Sequence, residues 1–68
     1  MGNYYVNDTP QPTGEREVHL QECWWLGQAN SKTHLGHHAT CRSAVTYARS
    51  IYGNVDGCAH CIPQCHTR

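Results

Sequence analysis

Thr40-Cys41-Arg42-Ser43-Ala44-Val45-Thr46-Tyr47-Ala48-Arg49-Ser50-Ile51-Tyr52-Gly53 is the one stretch of this chain whose spacing speaks clearly for a helix. Cys41, Ala44, Val45, Ala48, Ile51 and Tyr52 recur at intervals of three and four and so share one face, while Arg42, Ser43, Thr46 and Arg49 fall on the other. The Thr40 hydroxyl can accept from an orphan amide of the first turn, which makes it a good N-cap. Gly53 stands where a helix end wants a residue that tolerates positive φ.

Upstream of the helix the period changes to two. Asn3-Tyr4-Tyr5-Val6-Asn7 is rich in aromatic and β-branched residues and reads as a strand. Glu15 to Leu20 alternates, with Arg16, Val18 and Leu20 on one side and Glu17 and His19 on the other. Pro10, Pro12 and Gly14 make the segment between them a loop, so the two strands are expected to form a hairpin. Thr33 to Gly36 is a third short strand candidate, Gly27 to Lys32 a turn, and Asn54-Val55-Asp56-Gly57 a further turn after the helix. The expected fold is α+β: one domain over residues 1–68, a short antiparallel hairpin or three-stranded sheet packed on one helix, closed by a Cys-x2-Cys knuckle.

A chain of 68 residues buries only about 60 % of the surface its unfolded form exposes, so domains of this size commonly need a staple. Here there is no Phe, four Tyr and two Trp, and no long apolar run that would cross a membrane. Met1 to Asp8 is polar and has neither a basic start nor an apolar stretch, so no secretory leader is read there. Formal net charge is zero, with Arg16, Lys32, Arg42, Arg49 and Arg68 scattered, which does not favour a phosphate-gripping nucleic-acid surface. Five Cys and six His are the outstanding feature. An odd Cys count with equal enrichment in His points to metal binding in a reducing compartment, and so to a cytoplasmic protein.

The chemistry lies in two pairs. His19-x3-Cys23 sits at the end of the second strand, and Cys58-x2-Cys61 follows a Gly-bearing turn. Together they supply a Cys3His set, a recognised tetrahedral zinc environment, and joining them closes a long loop across the helix. His60, Cys65 and His66 are rivals of His19, and the run Cys58 to His66 could itself supply four ligands. That local set would leave Cys23 free and force adjacent Cys65 and His66 onto one ion.

The pattern Val18-His19-x3-Cys23-x-Trp25-Leu26, Leu35-Gly36, Cys41-x3-Val45-x2-Ala48 and Gly57-Cys58-x2-Cys61-x3-Cys65-His66-Thr67 resembles a family of uncharacterised small bacterial proteins across nearly the whole chain. It is similar, more distantly, to the Ada-type metal-binding domain and to small zinc modules appended to some bacterial nucleases. The resemblance implies one structural zinc on His19, Cys23, Cys58 and Cys61. In the Ada-type domain the first Cys of the x3 pair accepts a methyl group; His19 stands there in this chain, so methyl transfer is not expected.

The remaining residues have plainer expectations. Cys41 belongs to the apolar helix face and reads as a buried structural thiol; Cys65 reads as a peripheral thiol, able to pair with Cys41 or Cys23 on oxidation. His34, His37 and His38 read as exposed imidazoles rather than a second metal site. Trp25 is expected beneath the helix, Trp24 more exposed, and Tyr47 on the surface. Cys65-His66 lacks the third group that a nucleophile–base pair needs, and Glu22 is the one carboxylate placed to act as a base, so no enzyme is expected. The leading reading is a structural-zinc binding module with a protein partner, nucleic acid being less favoured. The alternative is metal handling or thiol redox sensing, suggested by the surplus of Cys and His.

Overall fold

Alternation along the first strand decides how the sheet packs. The computed structural model describes residues 2–67, and Met1 and Arg68 lie outside them. In β1 (Gly2–Asn7), Tyr4 and Val6 are buried and their neighbours are not. β2 (Arg16–Leu20) runs antiparallel to it, with Val6 opposite Val18, Tyr5 opposite His19 and Tyr4 opposite Leu20. β3 (Lys32–His38) pairs antiparallel on the other side of β1. The register slips by one between Tyr4 and Tyr5, whose partners are Gly36 and His34. The extra residue is accommodated at Gly36, whose φ of 96° is the positive value that a bulge glycine supplies.

The helix α1 (Cys41–Tyr52) forms where its spacing predicts. Thr40 Oγ1 accepts from Ser43 N at 3.2 Å, and Gly53, with φ 83°, donates its N–H to Arg49 O at 2.9 Å. Cys41, Ala44, Val45 and Ala48 are buried against the sheet. They share a core with Tyr4, Val6, Val18, Leu35, Val55, Cys58 and Ile62. Ile51 departs from the expected apolar face and is 54 % exposed. Tyr52 takes the inward place in the last turn, its ring under the Arg16 guanidinium at 5.0 Å and its hydroxyl 3.4 Å from Asp8 Oδ1.

The segment read as a turn after the helix is a strand. β4 (Val55–Gly57) pairs parallel with β2, setting Gly57 opposite Val18, so the sheet is four-stranded and mixed, in the order β3-β1-β2-β4. Three residues are too few to show a period, and the partner lies far away in sequence, so no local signal marks this strand. Asp56 at its centre is 2 % exposed. Its carboxylate accepts from Thr67 N at 3.0 Å and Thr67 Oγ1 at 3.0 Å, and His66 Nδ1 lies 3.3 Å away. These contacts pin the end of the chain beside the sheet edge.

A second correction concerns the tryptophans. Trp24–Gln28 is a 3₁₀ turn opened by Cys23. At three residues per turn, Cys23 and Leu26 point the same way. Leu26 is therefore the buried residue, and Trp25 stands outside at 46 % exposure instead of beneath α1, with Trp24 at 65 %. Tyr47 is on the surface, as expected.

Candidate metal centre

Strand pairing brings the two ligand pairs together. Cys58 N donates to Val18 O at 2.9 Å, which carries the β2–β4 pairing one step beyond Gly57 and sets Cys58 alongside His19. After β2 the chain turns back, with Cys23 N donating to Leu20 O at 3.0 Å, and this returns the Cys23 sulfur toward the strand it has just left. Past Cys58 a tight turn closes where Ile62 N meets Cys58 O at 3.1 Å, with Ile62 sealed into the core at 1 % exposure. That turn swings Cys61 back over β2, so that Leu20 N donates to Cys61 Sγ at 3.3 Å. The ligand atoms of His19, Cys23, Cys58 and Cys61 all lie within 4.8 Å of one another.

The geometry of these atoms fits a metal ion. Cys23 Sγ and Cys58 Sγ are 3.9 Å apart. A disulfide would need about 2.05 Å, whereas two sulfurs at tetrahedral corners, each about 2.3 Å from a metal, stand about 3.8 Å apart. Two amides already point at the sulfurs, Leu20 N at Cys61 and His60 N at Cys58 at 3.4 Å, and favour thiolate charge there. His19 is the most telling member. It is 2 % exposed, and its Nδ1 is a buried polar atom with no hydrogen-bond partner among the described residues, an arrangement that costs free energy unless something binds it. Its other nitrogen, Nε2, lies 3.5 Å from Glu17 Oε1. A carboxylate behind an imidazole in this way fixes which nitrogen faces a metal.

Electrostatics describe a site poised to exchange protons for a cation. Burial pushes the Cys61 thiol up to about 12; the Leu20 amide opposes the rise and the Cys23 and Cys58 sulfurs add to it. Burial also lowers His19 below its ordinary value, with Glu17 pulling the other way and His60 adding to the fall. A Cys61 thiol held neutral by burial must surrender its proton to a metal, so binding here weakens as pH falls.

The rivals for ligation are engaged elsewhere. Cys65 is joined to Cys41 in a disulfide spanning 24 residues, where two separate thiols were expected. The sequence separates the two cysteines widely, and only the 3₁₀ turn at Pro63–Cys65 folding back toward the start of α1 brings them into range. His66 Nδ1 lies 2.9 Å from Gly57 O, beside Asp56. His60 stacks its ring on Trp25 at 5.0 Å, at the outer side of the knuckle. His34 and His37 are exposed, and His38 is tied to Ser43 Oγ at 2.8 Å and Leu35 O at 3.0 Å; none of the three joins a metal-type cluster among the described residues. Two functional neighbours carried no sequence signal of their own. Glu17 reads in the sequence as an alternating strand residue, and Gly57 as a turn former that also opens the last motif of the resemblance. A Cβ on Gly57 would stand 2.7 Å from Cys65 O, so this glycine lets the disulfide-bearing turn lie directly against the strand that delivers Cys58.

Comparison of the chain with protein-family models, with curated proteins and with solved structures finds no match.

Proposed function

We propose that this chain is a zinc-stapled binding module, in which His19, Cys23, Cys58 and Cys61 hold one structural zinc and the surface around them engages a protein partner. The observation that carries this reading is a buried His19, its Nδ1 without a hydrogen-bond partner among the described residues, grouped with three cysteines so that one ligand atom from each of the four lies within 4.8 Å of the others. Three sulfurs and one imidazole suit a borderline-soft, tetrahedral ion, and hard cations such as magnesium or calcium prefer oxygen donors that the set lacks. Four protein ligands fill the tetrahedron, which supports a structural rather than a catalytic metal. The partner surface rests on Trp24 and Trp25, exposed beside the centre with rings 4.7 Å apart and edge to face. Exposed tryptophan is the residue type most enriched where binding energy concentrates.

Native mass spectrometry of protein loaded with one equivalent of zinc tests the metal. One tightly held ion is expected, lost in Cys58→Ser, and cobalt substitution should give thiolate charge-transfer absorption. A wild-type chain that takes up no zinc would sink the proposal. Capture from bacterial lysate with wild type and Trp24→Ala, with and without nuclease, tests the partner and separates protein from nucleic acid.

The Cys41–Cys65 disulfide favours a second reading, thiol redox sensing in a cytoplasmic setting where the pair forms only under oxidation. Zinc that is exchangeable, or released on oxidation, would favour it over the structural reading.

A further inference from the structure

Two of the basic side chains in this molecule have no counter-charge, and they line the same cavity. Arg16 bonds Asp8 O at 3.1 Å and covers the Tyr52 ring, and Lys32 reaches Leu26 O at 3.5 Å. The side chains of Arg42 and Arg49 make no hydrogen bond or ion pair among the described residues. They lie seven positions apart on α1, with Thr46 between them, and all three face Gln64 and Thr67 across a cavity of about 170 Å³. No carboxylate of the described residues lines it. Asp8 is occupied by Ser31 and Thr33, Asp56 by Thr67, and Glu17 lies against His19. A second cavity, of about 470 Å³, shares Arg42, Gln64 and Cys65 and continues past Tyr4 and Thr40.

We propose that this groove binds a phosphate monoester, its phosphate between Arg42 and Arg49 and its organic part along the second cavity. Guanidinium groups bind phosphate oxygens through paired, charge-assisted hydrogen bonds, and the hydroxyls of Thr46 and Thr67 and the amide of Gln64 add neutral donors. The cavity, of about 170 Å³, has room for a tetrahedral group of five heavy atoms. The wall opposite the helix is fixed before any ligand arrives. Cys65 is tied to Cys41 across the groove, and Thr67 is held by Asp56 through both its N–H and its hydroxyl. Such preorganisation spares the ligand the entropy of ordering its site. None of these residues belongs to the metal cluster, so the proposal is independent of zinc.

The test is a nitrogen–proton NMR titration of the oxidised, metal-loaded protein with inorganic phosphate and with phenyl phosphate, against chloride at matched ionic strength. Saturable shifts are expected at residues 42–49 and 64–67, with Kd between about 0.1 and 10 mM, a free energy of a few kcal/mol. Phenyl phosphate should bind more tightly and add shifts at Tyr4 and Thr40. Arg42→Gln and Arg49→Gln should each weaken binding about tenfold, the loss of one charged hydrogen-bonding group, with metal content unchanged. Both side chains are exposed, so neither variant threatens folding; Arg49→Lys, which keeps charge but loses the fork, should fall between. Shifts that chloride reproduces, that never saturate, or that survive both Arg→Gln changes overturn the proposal. Equal affinity for the two probes overturns the role given to the second cavity.

Discussion

Replacing both members of the disulfide, Cys41→Ala with Cys65→Ala, removes a cross-link while sparing the three thiols of the metal cluster. The bond joins residues 24 apart. The chain-entropy relation for a loop of about 25 residues gives roughly 3.5 kcal/mol of stabilisation at 25 °C, by denying extended conformations to the unfolded chain. Loss of the Cys41 sulfur from a site 6 % exposed adds a packing term of about 1 kcal/mol or less. Total stability for a domain of 68 residues is expected at roughly 3–10 kcal/mol, so the change removes a third or more of it. In melting temperature the loss corresponds to roughly 15–25 °C.

The assay is urea unfolding of both proteins at fixed free zinc, followed by Trp fluorescence and by circular dichroism. Expected are a midpoint shift equivalent to about 3.5 kcal/mol and a larger m in the double variant, because its unfolded state is less constrained. Reducing the wild type with a mild thiol should reproduce the shift. A loss below about 1 kcal/mol, or a reduced wild type as stable as the oxidised one, would refute the assignment of this bond as a staple of the fold.

Four further outcomes follow from named contacts. Gly57→Ala puts a Cβ 2.7–2.9 Å from three atoms of Cys65, two of them backbone, so it should cost about 1–3 kcal/mol and weaken metal binding through the displaced Cys58; unaltered zinc affinity in a competition titration would contradict the coupling. Glu17→Gln removes the charge behind His19 Nε2 and should lower metal affinity about tenfold or more, read by chelator competition. Ile62→Ala, which opens a hole under the knuckle at a residue 1 % exposed, should cost about 2–5 kcal/mol in denaturant unfolding. Hydrogen bonds from Thr33, then Ser31, hold the Asp8 carboxyl below its ordinary value of 3.8; its contribution is therefore complete above that pH and is lost as pH falls through the lowered folded value. Asp8→Asn should flatten that acid limb of the stability curve, and an unchanged limb would count against it.

Legibility from sequence followed the range of the interactions. The helix was readable because its cap, its apolar spacing and its terminal glycine all lie within fourteen residues and agree. The β1–β2 hairpin was readable because alternation and the Pro-rich loop sit side by side. The four candidate ligands were readable because pairs at x3 and x2 spacing are local, even though their convergence is not. What escaped depends on distant partners. β4 is a strand only because β2 lies beside it, and Cys41 meets Cys65 only after the sheet and helix have formed. Trp25 was misplaced for a local reason: a 3₁₀ turn counts in threes, and the inward place went to Leu26.

A metal on the cluster and the disulfide would stabilise the same small fold by different physics, and that difference can be measured. The disulfide persists in the unfolded chain and acts by restricting it, an effect on the unfolded chain that does not itself depend on zinc. A metal held by His19, Cys23, Cys58 and Cys61 binds the folded chain and acts by mass action. Its contribution should grow by about 1.4 kcal/mol for each tenfold rise in free metal above Kd. Both staples press on one short segment. Gly57 leads into Cys58 on one side and lies against Cys65 on the other, so the strand that presents a ligand is also the wall against which the disulfide-bearing turn rests. Breaking the disulfide should therefore do more than lower global stability. It should loosen Cys58 locally and raise the metal dissociation rate under conditions where the protein remains fully folded. Stopped-flow transfer of zinc to a chromogenic chelator, compared between oxidised and reduced protein, measures that rate. Equal rates would mean that the two staples share a neighbourhood without sharing a mechanical link.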